Sequence, residues 1–178
     1  MDILSAKYKM MIHVHKEDDV MVLLQLAKEF GIKELVANHC LDVHRQEVFE
    51  ALRDAYIHVI YGPMDAFPYK IELKHESWKN AEVLLKSAAK FSLMSDHPVI
   101  LQRSMFYTLR HLLRFSLSKA EAISKITREP AEIIGVQNNI GQVKPGSKAS
   151  MVIWNDDPFS LTSHLMLVIA EGKVVYEE

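Results

Sequence analysis

The chain has 178 residues, 49% of them hydrophobic, which is enough for one real core. A net charge of −2 and a pI near 6.5 argue against nucleic acid or an anionic membrane as the main partner, no apolar run approaches a membrane span, and the first residues form no signal-peptide pattern. A single cysteine, Cys40, excludes an internal disulfide and fits a reducing compartment, so the expectation is a cytoplasmic α/β protein.

The elements alternate. Met10 to Val14 reads as a strand. Asp18 and Asp19 then read as caps of a helix whose face carries Val20, Leu23, Leu24, Ala27 and Phe30, ended by Gly31. Glu34 to His39 is the next strand, with a helix around Val48, Ala51, Leu52 and Ala55. Ile57 to Tyr61 is a third strand stopped by Gly62-Pro63, followed by a loop through Pro68 to about Glu76. Ser77 reads as the cap of a helix presenting Trp78, Ala81, Leu85 and Ala88, and Phe91 to Ser95 as the fourth strand.

Strands separated by helices at this rhythm mean successive βαβ units and a parallel sheet. Right-handed crossovers put every strand's C-terminal end on one rim, so His13, His39 and Asp96 are expected to converge there. His13 and His15 share a strand face, because side chains alternate. His44, His58, His75, His111 and His164 carry no such argument.

After Asp96 the texture changes. Arg103 to Phe115 reads as a helix, Ser118 to Glu121 as a capping box, and Glu129 to Gly135 as a short helix with Pro130 near its start. Then come a Lys144-Pro145-Gly146 turn, a strand over 150–154, a turn at Asn155 to Pro158, a strand over 165–170, and a tight Glu171-Gly172 hairpin into Lys173 to Tyr176. So few short strands need partner strands or must pack on the helices.

The run Ile140 to Trp154, with Asp157-Pro158 and Glu171 to Tyr176, resembles the C-terminal tail of the amidohydrolase superfamily. It is similar in particular to the branch around imidazolonepropionase-like and prolidase-like enzymes. Glu129 to Gly135 and Ser95-Asp96-His97-Pro98-Val99 fit the same branch in the same order; Ser150 departs from it, standing where the family usually has Asp. The resemblance implies a distorted (β/α)8 TIM-like barrel with one or two divalent metals, most often zinc, at its mouth. It implies metal ligands at His13 (fifth strand), His39 (sixth) and Asp96 (eighth), with Asp96 also catalytic, taking a proton from water. His15 and His97 fall on the substrate side of the rim.

The same resemblance implies that the first four strands, with their H-x-H and fourth-strand ligands, are missing here. A whole barrel needs about 250 residues, and βα units run only to Ser95. The expectation is therefore the C-terminal half of a barrel, about four βα units and helices over 1–136, followed by a β tail of the small composite β-domain over 137–178. Open edges at the Ile12 and Leu93 strands invite pairing. A complementary N-terminal half chain or a second copy in a homodimer is expected to close them, and an isolated half to hold metal weakly or not at all. The expected function is hydrolysis of C–N bonds in a small-molecule amide or cyclic amide; the alternative is a silent fragment or subunit that only associates.

Overall fold

A computed structural model describes residues 5–67 and 69–178; Pro68, expected in the loop after the third strand, lies outside the described residues. Four parallel strands, β1 (Met10–Val14), β2 (Leu35–His39), β3 (His58–Tyr61) and β4 (Phe91–Leu93), lie in the order β1-β2-β3-β4. Helices α1 (Glu17–Phe30), α2 (Gln46–Asp54) and α3 (Asn80–Lys86) connect them, and α4 (Met105–Arg114), α5 (Lys119–Ser124) and α6 (Arg128–Ile133) follow. A separate antiparallel sheet, β5 (Met151–Trp154), β6 (Leu165–Ala170) and β7 (Lys173–Glu177), has the order β5-β6-β7. Among the described residues, no helix is long and apolar enough to cross a membrane.

Register explains which face is covered. Met10 pairs with Leu35, Ile12 with Ala37, Ala37 with Val59, Val59 with Phe91, and Tyr61 with Leu93. Val14, Leu35, Ala37, Val59, Tyr61, Phe91 and Leu93 are buried in one cluster with Val20 and Ala27 of α1, Phe49 and Leu52 of α2, and Leu109 and Leu112 of α4. On the other face, Met11, His13, Asn38, His58 and Ile60 are exposed or half-buried, while Val36 and Ser92 are buried. A parallel sheet normally has both faces covered; here the helices cover one.

Several local expectations are corrected. Lys16 is the N-cap of α1, while Asp18 and Asp19 sit in its first turn, where a carboxylate complements the N-terminal end of the helix dipole. Gly31 ends α1 as expected, in the left-handed region at φ 63°, but Phe30 is 58% exposed rather than on the buried face. Ser77 does not cap α3: the N-cap is Lys79, whose N–H lies 3.3 Å from Ser77 Oγ, and Trp78 stands outside the helix, stacked on Phe115. The segment expected as one helix from Arg103 starts as a 3-10 turn over Gln102–Ser104. Ser118 and Glu121 do form the capping box of α5.

The edges differ from each other. Among the described residues, β1 pairs with β2 and with no other strand. β4 is less open than expected, because the Leu93 N–H donates to the Lys125 carbonyl at 2.9 Å and so takes part of its outer edge. The tail packs on the helices: Phe106 of α4 stacks on Trp154 at 5.5 Å and meets Phe159 at 5.1 Å, and Lys119 pairs with Asp157.

Candidate metal centre

Two strand ends build the centre. His13 lies in β1 and His15 follows its end; with one residue between them, both imidazoles fall on the same side, and their ring centroids are 4.8 Å apart. His39 ends β2, and its register partner is Val14, which faces the helices. Strict alternation would therefore turn His39 away from His13. The backbone changes hand instead: His39 and Cys40 have φ of 75° and 54°, a left-handed pair that costs energy in non-glycine residues and breaks the alternation. The His39 ring then lies 4.4 Å from His13 and 4.6 Å from His15.

One ligand atom from each of His13, His15 and His39 lies within 4.8 Å of the other two. Each ring is prepared differently. His39 Nδ1 is 2.8 Å from the Gly62 carbonyl, which can only accept, so Nδ1 carries the hydrogen and Nε2 keeps its lone pair. The His15 side chain is 4% exposed, and its Nδ1 is buried with no hydrogen-bond partner. Leaving such a group unsatisfied costs about 1–3 kcal/mol. The His13 side chain is 56% exposed.

Burial sets the charge state. It pushes the His15 pKa down to about 4, with the neighbouring His39 lowering it further. Burial also lowers His39, against the Gly62 hydrogen bond and the negative charge of Asp96, which raise it. Neutral imidazoles are the form that binds metal. In the metal-free chain the same shift ties stability to pH. The unfolded chain protonates His15 below about 6.5, while the folded chain does so only near 4, so stability is full above 6.5 and lost as pH falls toward 4. Allowing for solvent at the open face, roughly 2 kcal/mol of stability should go over that window. Urea midpoints at pH 7.5 and 4.5 measure it, and a His15→Gln variant with an unchanged pH slope would refute the assignment.

A carboxylate missed by sequence reasoning stands over the cluster. Glu72, in the 3-10 turn Ile71–Leu73 after β3, puts Oε1 3.9 Å from His13 Nε2 and 4.0 Å from His15 Nε2, and Lys70 Nζ meets the same oxygen at 3.1 Å. Nothing in the spacing of Lys70-Ile71-Glu72 marks it, because the loop's path is set by the fold.

Asp96 lies three residues past β4, exposed, in the left-handed region at φ 48°. Its negative charge raises the pKa of both His39 and Lys70, but it is not one of the three clustered donors. His97 is not drawn into the cluster either: its Nδ1 accepts the Gln102 N–H at 3.4 Å, which serves its own loop. His44 and His75 form a separate pair, ring centroids 4.7 Å apart, with Nδ1 atoms on the Asp42 carbonyl (3.0 Å) and carboxylate (3.2 Å).

Three imidazoles, one with its outer nitrogen fixed and one with an unpartnered buried nitrogen, fit a divalent ion of the borderline-soft class.

The chain is similar in fold to several proteins of known structure. The crystal structure of an amidohydrolase from Thermotoga maritima MSB8 superimposes with a TM-score of 0.90 at 29% identity, over 99% of this chain and 45% of that one. A prolidase structure complexed with N-methylphosphonate-L-proline gives 0.75 at 16% identity, over 99% of this chain and 47% of that one, a likeness of fold. An adenosine deaminase from Xanthomonas campestris with bound zinc gives 0.65 at 16%, over 93% and 45%. Amidohydrolase tasK of Hapsidospora irregularis is 24% identical over 85 residues, 48% of this chain and 9% of that protein. The chain thus spans less than half of each of these relatives. The parallel βα layer and small antiparallel sheet are accordingly part of a larger amidohydrolase fold. With the profile of the amidohydrolase family matching residues 4–175, the chain belongs to that family.

Proposed function

We propose that this chain supplies the C-terminal half of a metal-dependent amidohydrolase acting on C–N bonds in a small amide or cyclic amide, with residues 1–136 as the barrel portion and 137–178 as the β tail. The observation that carries the reading is the imidazole cluster of His13, His15 and His39 at the C-terminal ends of adjacent parallel strands, the end where barrel enzymes keep their sites. His13 and His39 hold the ion and Asp96 stands beside it. Zinc suits the imidazole donors, and the buried Cys40 thiol suits the cytoplasm.

A divalent ion held there supplies Lewis acidity and makes water more acidic. The chain's own groups do the rest. The Gly62 carbonyl fixes the His39 ring through Nδ1. A carboxylate oxygen of Asp96 takes the proton of water as its oxygen adds to the substrate carbonyl carbon. It returns that proton to the nitrogen as the C–N bond breaks, leaving a carboxylic acid and an amine. His15 and His97 lie on the substrate side in this reading.

The bare β1 edge and the helix-free sheet face call for a partner, either a complementary N-terminal half or a second copy. Light scattering of the purified chain, alone and with the N-terminal part of the Thermotoga maritima amidohydrolase, is combined with hydrolysis assays on acyl-proline dipeptides and cyclic amides. Chelator-sensitive hydrolysis in the assembled species is expected. A metal-loaded assembly that hydrolyses nothing in the panel overturns the enzyme reading in favour of a silent, associating subunit.

A further inference from the structure

The family resemblance distributes the metal donors around a whole rim, one or two per strand, and leaves this chain with half of them. The cluster itself is denser than that. His13 and His15 come from one strand end and His39 from the next, so three imidazoles meet without any contribution from a further strand. Glu72 Oε1 then lies within 4.0 Å of two of their Nε2 atoms.

We propose that His15 and Glu72 complete a metal site carried wholly by this chain, with His13, His15 and His39 as imidazole donors and Glu72 as the carboxylate donor. The inference rests on the reading that the cluster holds a divalent ion, but it changes who holds it: the ion does not wait for a second half of the rim.

Four observations support the set. Donor atoms up to 4.8 Å apart are an easy side-chain adjustment from a tetrahedral site, whose bonds of about 2.0–2.2 Å put ligands roughly 3.3–3.5 Å from one another. The His15 ring is buried with an unpartnered Nδ1, and its Nε2 lies 4.0 Å from the Glu72 carboxylate oxygen, a separation that a cation with bonds of about 2.0–2.2 Å to each can bridge. Glu72 sits in a rim loop and already engages a cation, Lys70 Nζ at 3.1 Å through Oε1, the atom that faces the imidazoles. Lys70 thus marks a place where a positive charge is already accommodated. Finally, the left-handed backbone at His39 and Cys40 is strain spent on turning His39 into this cluster rather than toward the helices.

The test uses the chain as it is. Cobalt(II), whose visible spectrum reports coordination, is titrated into the purified chain with no partner added. One equivalent should bind per chain with the intense absorption of a four-coordinate site. Zinc-edge X-ray absorption on the zinc-loaded chain should count three imidazoles. Glu72→Gln, which keeps the volume of a half-buried side chain, should weaken cobalt binding at least tenfold, and so should His15→Asn. His164→Asn, in the tail, should leave binding unchanged. Two imidazoles by absorption, together with unaltered affinity in Glu72→Gln, would overturn the proposal even if His15→Asn fails to fold. Metal bound only after the N-terminal half is added would overturn it too, while leaving the shared-rim hydrolase intact. A loaded chain that stays inert in every assembly would do the reverse.

Discussion

Asp96→Asn is expected to lower kcat of the proposed assembled hydrolase by about 10²–10⁴-fold, the usual worth of a positioned proton acceptor. KM should change little, because the amide of Asn keeps the volume and removes only the basic oxygen. The prediction separates two jobs for Asp96. Its side chain is exposed beyond the end of β4, and its charge acts on His39 without joining the clustered donors. A proton-transfer role therefore predicts retained cobalt affinity alongside the loss of rate. If Asp96→Asn instead loses the metal in proportion to its rate, the residue is a ligand and its proton role falls.

Gly62→Ala is expected to be the most damaging small substitution in the sheet. Gly62 has φ 139°, where side chains are rarely tolerated, and a Cβ there would lie 2.2 Å from the Met94 carbonyl oxygen. That oxygen belongs to the backbone, so no side-chain rotation relieves the contact. Either the β3 end or the β4 end must move, and the Met94 N–H to Tyr61 carbonyl bond (2.9 Å) that joins them must stretch. Backbone strain and the displaced strand end together should cost about 3 kcal/mol or more. The damage should reach the metal centre as well, because the Gly62 carbonyl holds His39 Nδ1. Loss of such an outer partner typically weakens metal binding about 10–100-fold. Urea unfolding and cobalt titration measure the two effects independently. A variant within about 0.5 kcal/mol of the parent, the range of a neutral surface change, would show that the close approach is not a constraint.

Much of the βα layer was legible because its signals are local. The alternation of apolar strands and helices, Gly31 as a stop, and the Ser118–Glu121 capping box depend on neighbours within a turn or two. The errors share a cause as well. Asp18 and Asp19 look like caps, but the cap is set by where the chain leaves β1, and that exit falls at Lys16. Ser77 precedes a plausible helical face, yet Trp78 is drawn out of it to stack on Phe115, so α3 starts only at Asn80. The open β4 edge was inferred from strand count, and a carbonyl from the α5–α6 connection, at Lys125, takes part of it.

The sequence by itself determined the order of elements, the family's tail, and the residue types at the strand ends: His13, His15 and His39, with Asp96 beyond β4. Only the tertiary structure decided which of them meet. Strand alternation pairs His39 with Val14 and points it toward the helices; a left-handed turn at His39 and Cys40 reverses that, and such a turn at a histidine is written in no local code. Glu72 reaches the imidazoles because its loop is folded back over the β1 end, a path fixed by contacts far apart in the chain. Local chemistry names candidate donors; long-range packing brings their atoms within a few ångströms of one another.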